Sequence, residues 1–173
     1  MTPDGSVACN SMKIIETKEY SDPSLFDLFL LADPSRAMIE RYIREGHTFV
    51  GMHEDRVIAA IVLSFTASDV VEIKNVAVLP EQQGKGIGSL LIRFAIEWAQ
   101  KNGSRSIVIG TGNSSLTQLS LYQKLGFRMD HIIKDFFTDN YAEPIVENGL
   151  LCRDMVVLTR DLQQANVPMT MIP

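Results

Sequence analysis

The spacing of apolar positions divides this chain into helix-like and strand-like stretches. Lys13 to Thr17 predicts a short first strand. Asp22-Pro23 is a cap followed by a helix-starting proline, with Leu25, Phe26, Leu28, Phe29 and Leu30 behind it. Asp33-Pro34 repeats the signal ahead of Ala37, Met38, Tyr42 and Ile43, and Gly46 closes that second helix. His47 to Met52 and Val57 to Ala67 are rich in β-formers and joined by Glu54-Asp55-Arg56, which predicts an antiparallel hairpin. Val70 to Leu79 predicts another strand, stopped by Pro80. Next comes the longest helical pattern, with Ile87, Leu90, Leu91, Phe94, Ala95 and Trp98 on one face and Asn102-Gly103 as its stop. Ser106 to Gly110 predicts a strand, Thr111 to Ser115 a polar turn, and the following helix runs to about Lys124 with a left-handed exit at Gly126. Phe127 to Phe137 and Leu150 to Thr159 are the last two predicted strands. The order β-α-α-β-β-β-α-β-α-β-β predicts an α/β (α+β) architecture, a mixed sheet with helices on both faces.

Composition narrows the partners. At 173 residues, 46% apolar and 21% charged, the chain suits one globular domain, placed at residues 12–162. Residues 1–11 read as an extension, tag or disordered lead-in, and residues 163–173 as a tail. The net charge of −5 and the lack of any Lys/Arg-rich run argue against a nucleic-acid partner and leave room for a cationic amine. Cys9 and Cys152 make no disulfide framework, which points to a reducing cytoplasm. His47, His53 and His131 fall in no zinc-binding spacing, so no metal is expected. No apolar run has the length of a membrane span, so no membrane partner is expected either.

Chemistry enters at Gln83-Gly84-Lys85-Gly86-Ile87-Gly88, a glycine turn between a strand and a helix. The first N–H groups of a helix lack intrahelical partners and sit at its positive dipole end, which makes a phosphate site when no Cβ intrudes. An NTPase P-loop requires Ser or Thr directly after the Gly-Lys pair, and Gly86 stands there. A dinucleotide fingerprint requires a glycine where Ser89 stands.

The turn instead resembles the acyl-CoA signature Gln/Arg-x-x-Gly-x-Gly/Ala of the GNAT superfamily of N-acyltransferases. Upstream, Asn75-Val76-Ala77-Val78-Leu79-Pro80 looks like that family's fourth strand. Downstream, Asn113 through Leu121-Tyr122-Gln123-Lys124-Leu125-Gly126-Phe127 resembles its Asn…Tyr-x-x-x-Gly-Phe segment. The resemblance implies a mixed sheet of about seven strands with about four helices, its fourth and fifth strands splayed and the fourth often bulged. It implies acetyl-CoA as cosubstrate and a small-molecule, peptide or protein amine as acceptor. Backbone N–H groups from Gln83 to Ser89 would bind the CoA diphosphate, and the exposed backbone of Val76 and Val78 would pair with the pantetheine arm. Asn113 would contact the pantetheine or the acceptor, and Val78 or Ala77 N–H would supply the oxyanion donor. Homodimers are common in the superfamily, though no residue pattern here marks one.

Amide formation from a thioester needs a neutral amine and a protonated leaving thiolate. An alkylammonium with a pKa of about 10 must first lose a proton. Glu72, which resembles the glutamate of the histone-acetylating branch, is the candidate base; the alternative is a plain ion pair with Lys74. Tyr122 is the candidate acid. No Ser/His/Asp or Cys/His set points to a covalent acyl-enzyme. The acceptor side is expected to draw on Phe26, Phe29, Tyr42, Asp135, Phe136, Phe137, Asp139, Tyr141, Glu143 and Glu147. The competing function is an acyl-CoA-binding sensor or scaffold that has kept the fold without turnover.

Overall fold

The computed structural model describes residues 12–19 and 22–163. The expectations for residues 1–11, for Cys9, and for the tail beyond Gln163 lie outside the described residues. A seven-stranded mixed sheet runs in the order β1-β2-β3-β4-β5-β9-β6. Its strands are β1 (Lys13–Thr17), β2 (His47–His53), β3 (Arg56–Ala67), β4 (Val70–Val78), β5 (Ser106–Gly112), β6 (Arg128–Ile133) and β9 (Met155–Asp161). A separate two-stranded ribbon pairs β7 (Ile145–Glu147) with β8 (Leu150–Cys152). Five helices accompany them: α1 (Pro23–Leu30), α2 (Arg36–Glu45), α3 (Ile87–Lys101), α4 (Leu116–Lys124) and the short α5 (Phe136–Asn140).

Local chemistry explains most of these bounds. Asp22 caps α1 by accepting the Ser24 N–H at 2.9 Å, with Pro23 in the first turn. The cap of α2 is Ser35 and not Asp33, whose carboxylate accepts the Ser35 N–H instead. Glu54 and Asp55 both take positive φ, the two-residue turn whose twist matches a β-hairpin. The buried stripe of α3 is Ile87, Leu91, Ile92, Ala95, Ile96 and Ala99, so Leu90, Phe94 and Trp98 flank it. Each Ile or Leu so buried contributes about 1.5–3 kcal/mol. The predicted strand Phe127–Phe137 stops at Ile133. Asp135 turns left-handed, donates its N–H to Asp154 Oδ1 at 2.8 Å, and opens α5. The predicted strand Leu150–Thr159 divides at Arg153-Asp154 into β8 and β9.

Two irregularities position the site. Strand β4 runs parallel to β5 only from Val70 to Ile73, opposite Ser106 to Ile109, and beyond that the strands share no register. Along β3, Val62 faces Asn75 while Leu63 faces Ile73, so Lys74 is the extra residue of a bulge. The bulge reverses which face each later residue presents. Val76 and Val78 therefore pack against the same core as Val71 and Ile73, beneath α3. Ala77 joins the second core, made by α1, α2 and the other face of the sheet.

Candidate active site

Where β5 leaves β4, the β4 edge is open. Leu79 N–H donates to the Ile58 carbonyl of β3 at 2.9 Å. Backbone groups of successive strand residues point to alternate sides. Ala77 therefore turns its N–H and C=O toward β3, while Val76 and Val78 turn theirs toward the gap. Of the two expected oxyanion donors, Val78 turns its N–H toward the gap and Ala77 turns its N–H into the sheet. Gln83 Nε2 donates to the Val78 carbonyl at 3.0 Å and ties the glycine turn to the strand it follows.

The turn then delivers α3. Gly84 and Gly86 have φ of 74° and 81°, a left-handed backbone that glycine tolerates. Gly86 occupies the N-cap position with no side-chain cap, and no acidic residue sits in the first turn. The first N–H groups, those of Ile87, Gly88 and Ser89, thus have neither an intrahelical nor a side-chain partner at the positive end of a 15-residue helix. Gly88 differs from its neighbours in the turn. Its φ is ordinary, and a Cβ built on it meets nothing within 4 Å. The fold has no need of glycine there; a side chain would only take up open space.

That space is a cavity of about 330 Å³, within the range of small-ligand sites. It brings together Val76, Val78, Gln83, Gly84, Gly86, Ile87, Gly88, Ser89 and Tyr122 among the residues expected from sequence. Tyr122, on α4, is 4% exposed, and burial pushes its phenol up to about 12. Gln82, Ile92, Gln118 and Leu121 also line the cavity and were missed as site residues. Gln118 stands one helical turn before Tyr122 and could have been found by that spacing. Ile92 and Leu121 carry only the ordinary signal of a packed helix face.

Four expected residues stand elsewhere. Lys85 Nζ donates to Gln82 Oε1 at 3.1 Å. Ala77 is buried on the far face of the sheet. Glu72 lies on β4 just before the bulge, and its carboxylate accepts Lys74 Nζ at 2.5 Å. Asn113 does not line the cavity. Its Nδ2 donates to the Leu151 carbonyl at 3.0 Å, and its Oδ1 accepts the N–H groups of Arg153 and Asp154 at 2.8 and 2.9 Å. Those bonds clip the end of β5 to the β8–β9 link. Among the described residues no group of three or more His, Cys, Asp or Glu is placed to hold a metal, and no helix is long and apolar enough to cross a membrane.

The fold agrees with what known proteins show. Residues 12–127 match the model of the Acetyltransferase (GNAT) family. An uncharacterized N-acetyltransferase of Bacillus subtilis, YvbK, is 48% identical over 148 residues, which span 86% of this chain and 96% of that protein. A GNAT family acetyltransferase from Elizabethkingia anophelis, solved with acetyl-CoA bound, has a TM-score of 0.85 at 42% identity, covering 88% of this chain and 99% of that one. A Bacillus subtilis acetyltransferase solved in complex with CoA has a TM-score of 0.83 at 46% identity, covering 87% and 98%. With a family match over the strands, glycine turn and helices that build the cavity, the chain belongs to the GNAT family of acetyltransferases.

Proposed function

We propose that this enzyme transfers the acetyl group of acetyl-CoA directly to a primary amine within a ternary complex. One observation carries the reading. The gap-facing edge of β4, the uncapped start of α3 and the Tyr122 phenol converge on a single cavity. Helix N–H groups there suit a diphosphate, and the room beside Gly84 and Gly88 suits its close approach. The Val76 and Val78 backbone suits an extended amide-bearing arm laid along the strand. Acetyl-CoA supplies an activated acyl carbon. Val78 N–H is the donor for charge that develops on the acyl oxygen, a service of the kind that main-chain donors perform best.

Tyr122 serves the leaving sulfur. A phenol near 12 facing a thiol near 8.5 would give up its proton uphill by roughly 3 to 4 units, about 5 kcal/mol. It therefore acts as a hydrogen-bond donor that stabilises the departing thiolate and does not complete the transfer. Glu72 is the base for the amine, acting directly or through water. Its ion pair with Lys74 must loosen as the proton arrives. The test is free-thiol release from acetyl-CoA across a panel of amines, repeated with Glu72→Gln. That variant is expected to lower kcat at neutral pH by about 10- to 100-fold and to recover as the pH nears the amine pKa of about 10. An unchanged rate would leave Glu72 as the ion partner of Lys74 and nothing more.

A further inference from the structure

A second cavity, of about 260 Å³, opens between α2 and the sheet. Met38, Arg41, Tyr42 and Glu45 recur at i, i+3, i+4 and i+7, so one face of α2 forms its outer wall. The side chains of Arg41 and Glu45 are 74% and 66% exposed, which leaves the rim open to solvent. Ser64 of β3 and Lys74, the bulge residue of β4, belong to the inner wall. Glu72 stands directly opposite Ser64, in a cross-strand pair whose Cβ atoms lie about 4.5–5.5 Å apart on one face. Its neighbours Val71 and Ile73 join the core beneath α3, so Glu72 itself faces the α2 side. The cavity therefore adjoins the Glu72–Lys74 ion pair. The open edge of β4 at Val76 begins two residues past Lys74, roughly 7 Å along a strand.

The hydrogen-bonding capacity left over in this cavity is mostly of one kind. Lys74 Nζ carries three donors and among the described residues gives one, to Glu72. The Arg41 guanidinium carries five, and its ion-pair partner Glu45 is 3.9 Å away, beyond hydrogen-bond distance. Two cations with N–H groups to spare suit a carboxylate. Glu45 shares the rim, but its charge stands in water and is screened there. The ion pair adds a second demand. When Glu72 takes a proton from an incoming ammonium it loses its charge, and half-buried Lys74 loses its counter-ion. An acceptor with a carboxylate of its own replaces that counter-ion. We infer that this cavity is the acceptor site and that the acceptor is a small α-amino acid. A single carbon joins its two charged groups, so one molecule can turn its ammonium to Glu72 and its carboxylate to Lys74 and Arg41. Met38 and the Tyr42 ring leave an apolar wall for its side chain. The volume falls below that of drug-sized sites, as a small metabolite requires. Glu72 removes one proton, the freed lone pair forms the C–N bond, and the C–S bond breaks with its electrons on sulfur. The nitrogen then gives up a second proton, which restores the thiol, and the products are the N-acetyl amino acid and CoA. This inference rests on the acetyl-transfer reading, with Glu72 as the base.

The test measures thiol release from acetyl-CoA with the common L-amino acids, their primary amides and butylamine as acceptors. At least one amino acid is expected to exceed its own amide by about tenfold or more in kcat/KM. Arg41→Gln is expected to narrow that preference to about threefold, and Lys74→Gln to abolish it, each through a higher KM for the acid. A merely structural role for either side chain would lower acid and amide alike. Three results overturn the inference while leaving acetyl transfer intact: amides used as well as acids, turnover of butylamine but of no amino acid, or an equal change for acid and amide in either variant. If no acceptor releases thiol, calorimetry with CoA present separates the two readings. An amino acid that binds the wild type, and binds Lys74→Gln about tenfold more weakly, keeps the acceptor site and removes the transfer. No amino acid binding to the wild type overturns the acceptor site.

Discussion

The two sides of β4 are built from different materials. On the α3 side the polar groups are main chain: the gap-facing backbone of Val76 and Val78 and the first N–H groups of α3, bared by glycine. On the α1–α2 side they are side chains drawn from four separate stretches, Asp33, Tyr42, Asn75 and Tyr141. A backbone site is set by strand register and helix geometry, so one contiguous motif specifies it. A side-chain site can be redrawn by single substitutions without touching the sheet. On the proposed function, the α3 side is the acetyl-CoA half of the reaction, set by the fold, and the side-chain groups across β4 are the part that single substitutions can change.

The sharpest way to break this contrast is Gly88→Val. The site has ordinary φ and open space around its Cβ, so the folded state should be kept, with Tm within about 2 °C. The added side chain fills the room beside the helix N–H groups, and CoA affinity should fall by more than 100-fold, about 2.7 kcal/mol. Calorimetric titration with CoA reads the effect directly. Normal binding would show that the backbone of α3 does not hold the cosubstrate.

Tyr122→Phe is expected to act less strongly and in a different parameter. Removing one hydrogen bond to a developing thiolate is worth about 1.5–3 kcal/mol, or roughly 10- to 100-fold in kcat. The KM for acetyl-CoA should move little. The pH profile sharpens the assignment. A phenol held near 12 by burial stays protonated, so kcat should show no falling limb due to Tyr122 below pH 10. Stability follows the same sign. The folded state resists ionisation, so stability is intact below the unfolded value of about 10 and declines as the pH rises toward 12. Tyr122→Phe should remove its share of that alkaline loss.

Much of the donor half was legible in the sequence for the reason just given. Gln83 to Gly88 is contiguous, and glycine at fixed offsets excludes other phosphate-binding turns. The choice between Ala77 and Val78 was not legible, because it depends on the Lys74 bulge and on the bond from Leu79 to Ile58. The α1–α2 side of β4 was harder. Asp33-Pro34 reads as a helix cap, while the contacts of Asp33 with Tyr42 and with Tyr141, 108 residues away, belong to the packed structure. Asn75 reads as part of a strand motif, and its unpartnered oxygen is a property of the packed structure alone. Phe127 to Phe137 looked like one strand because its apolar residues conceal the left-handed turn at Asp135.

Asn113 tests the boundary between the halves with the smallest expected effect on function. Its family resemblance points toward the pantetheine or the acceptor, and its amide bonds to Leu151, Arg153 and Asp154, all in the segment that follows the β7–β8 turn. Each such bond contributes about 0.5–1.5 kcal/mol, and exposure at this site places the total for Asn113→Ala at about 1–3 kcal/mol of stability. Denaturant unfolding should register that loss. CoA affinity should stay within twofold, because no atom of Asn113 lines the cavity. If affinity instead falls tenfold with stability unchanged, the β5 end reaches the cosubstrate after all. The donor half would then depend on a side chain as well as on main chain, and the contrast between the two sides of β4 would weaken accordingly.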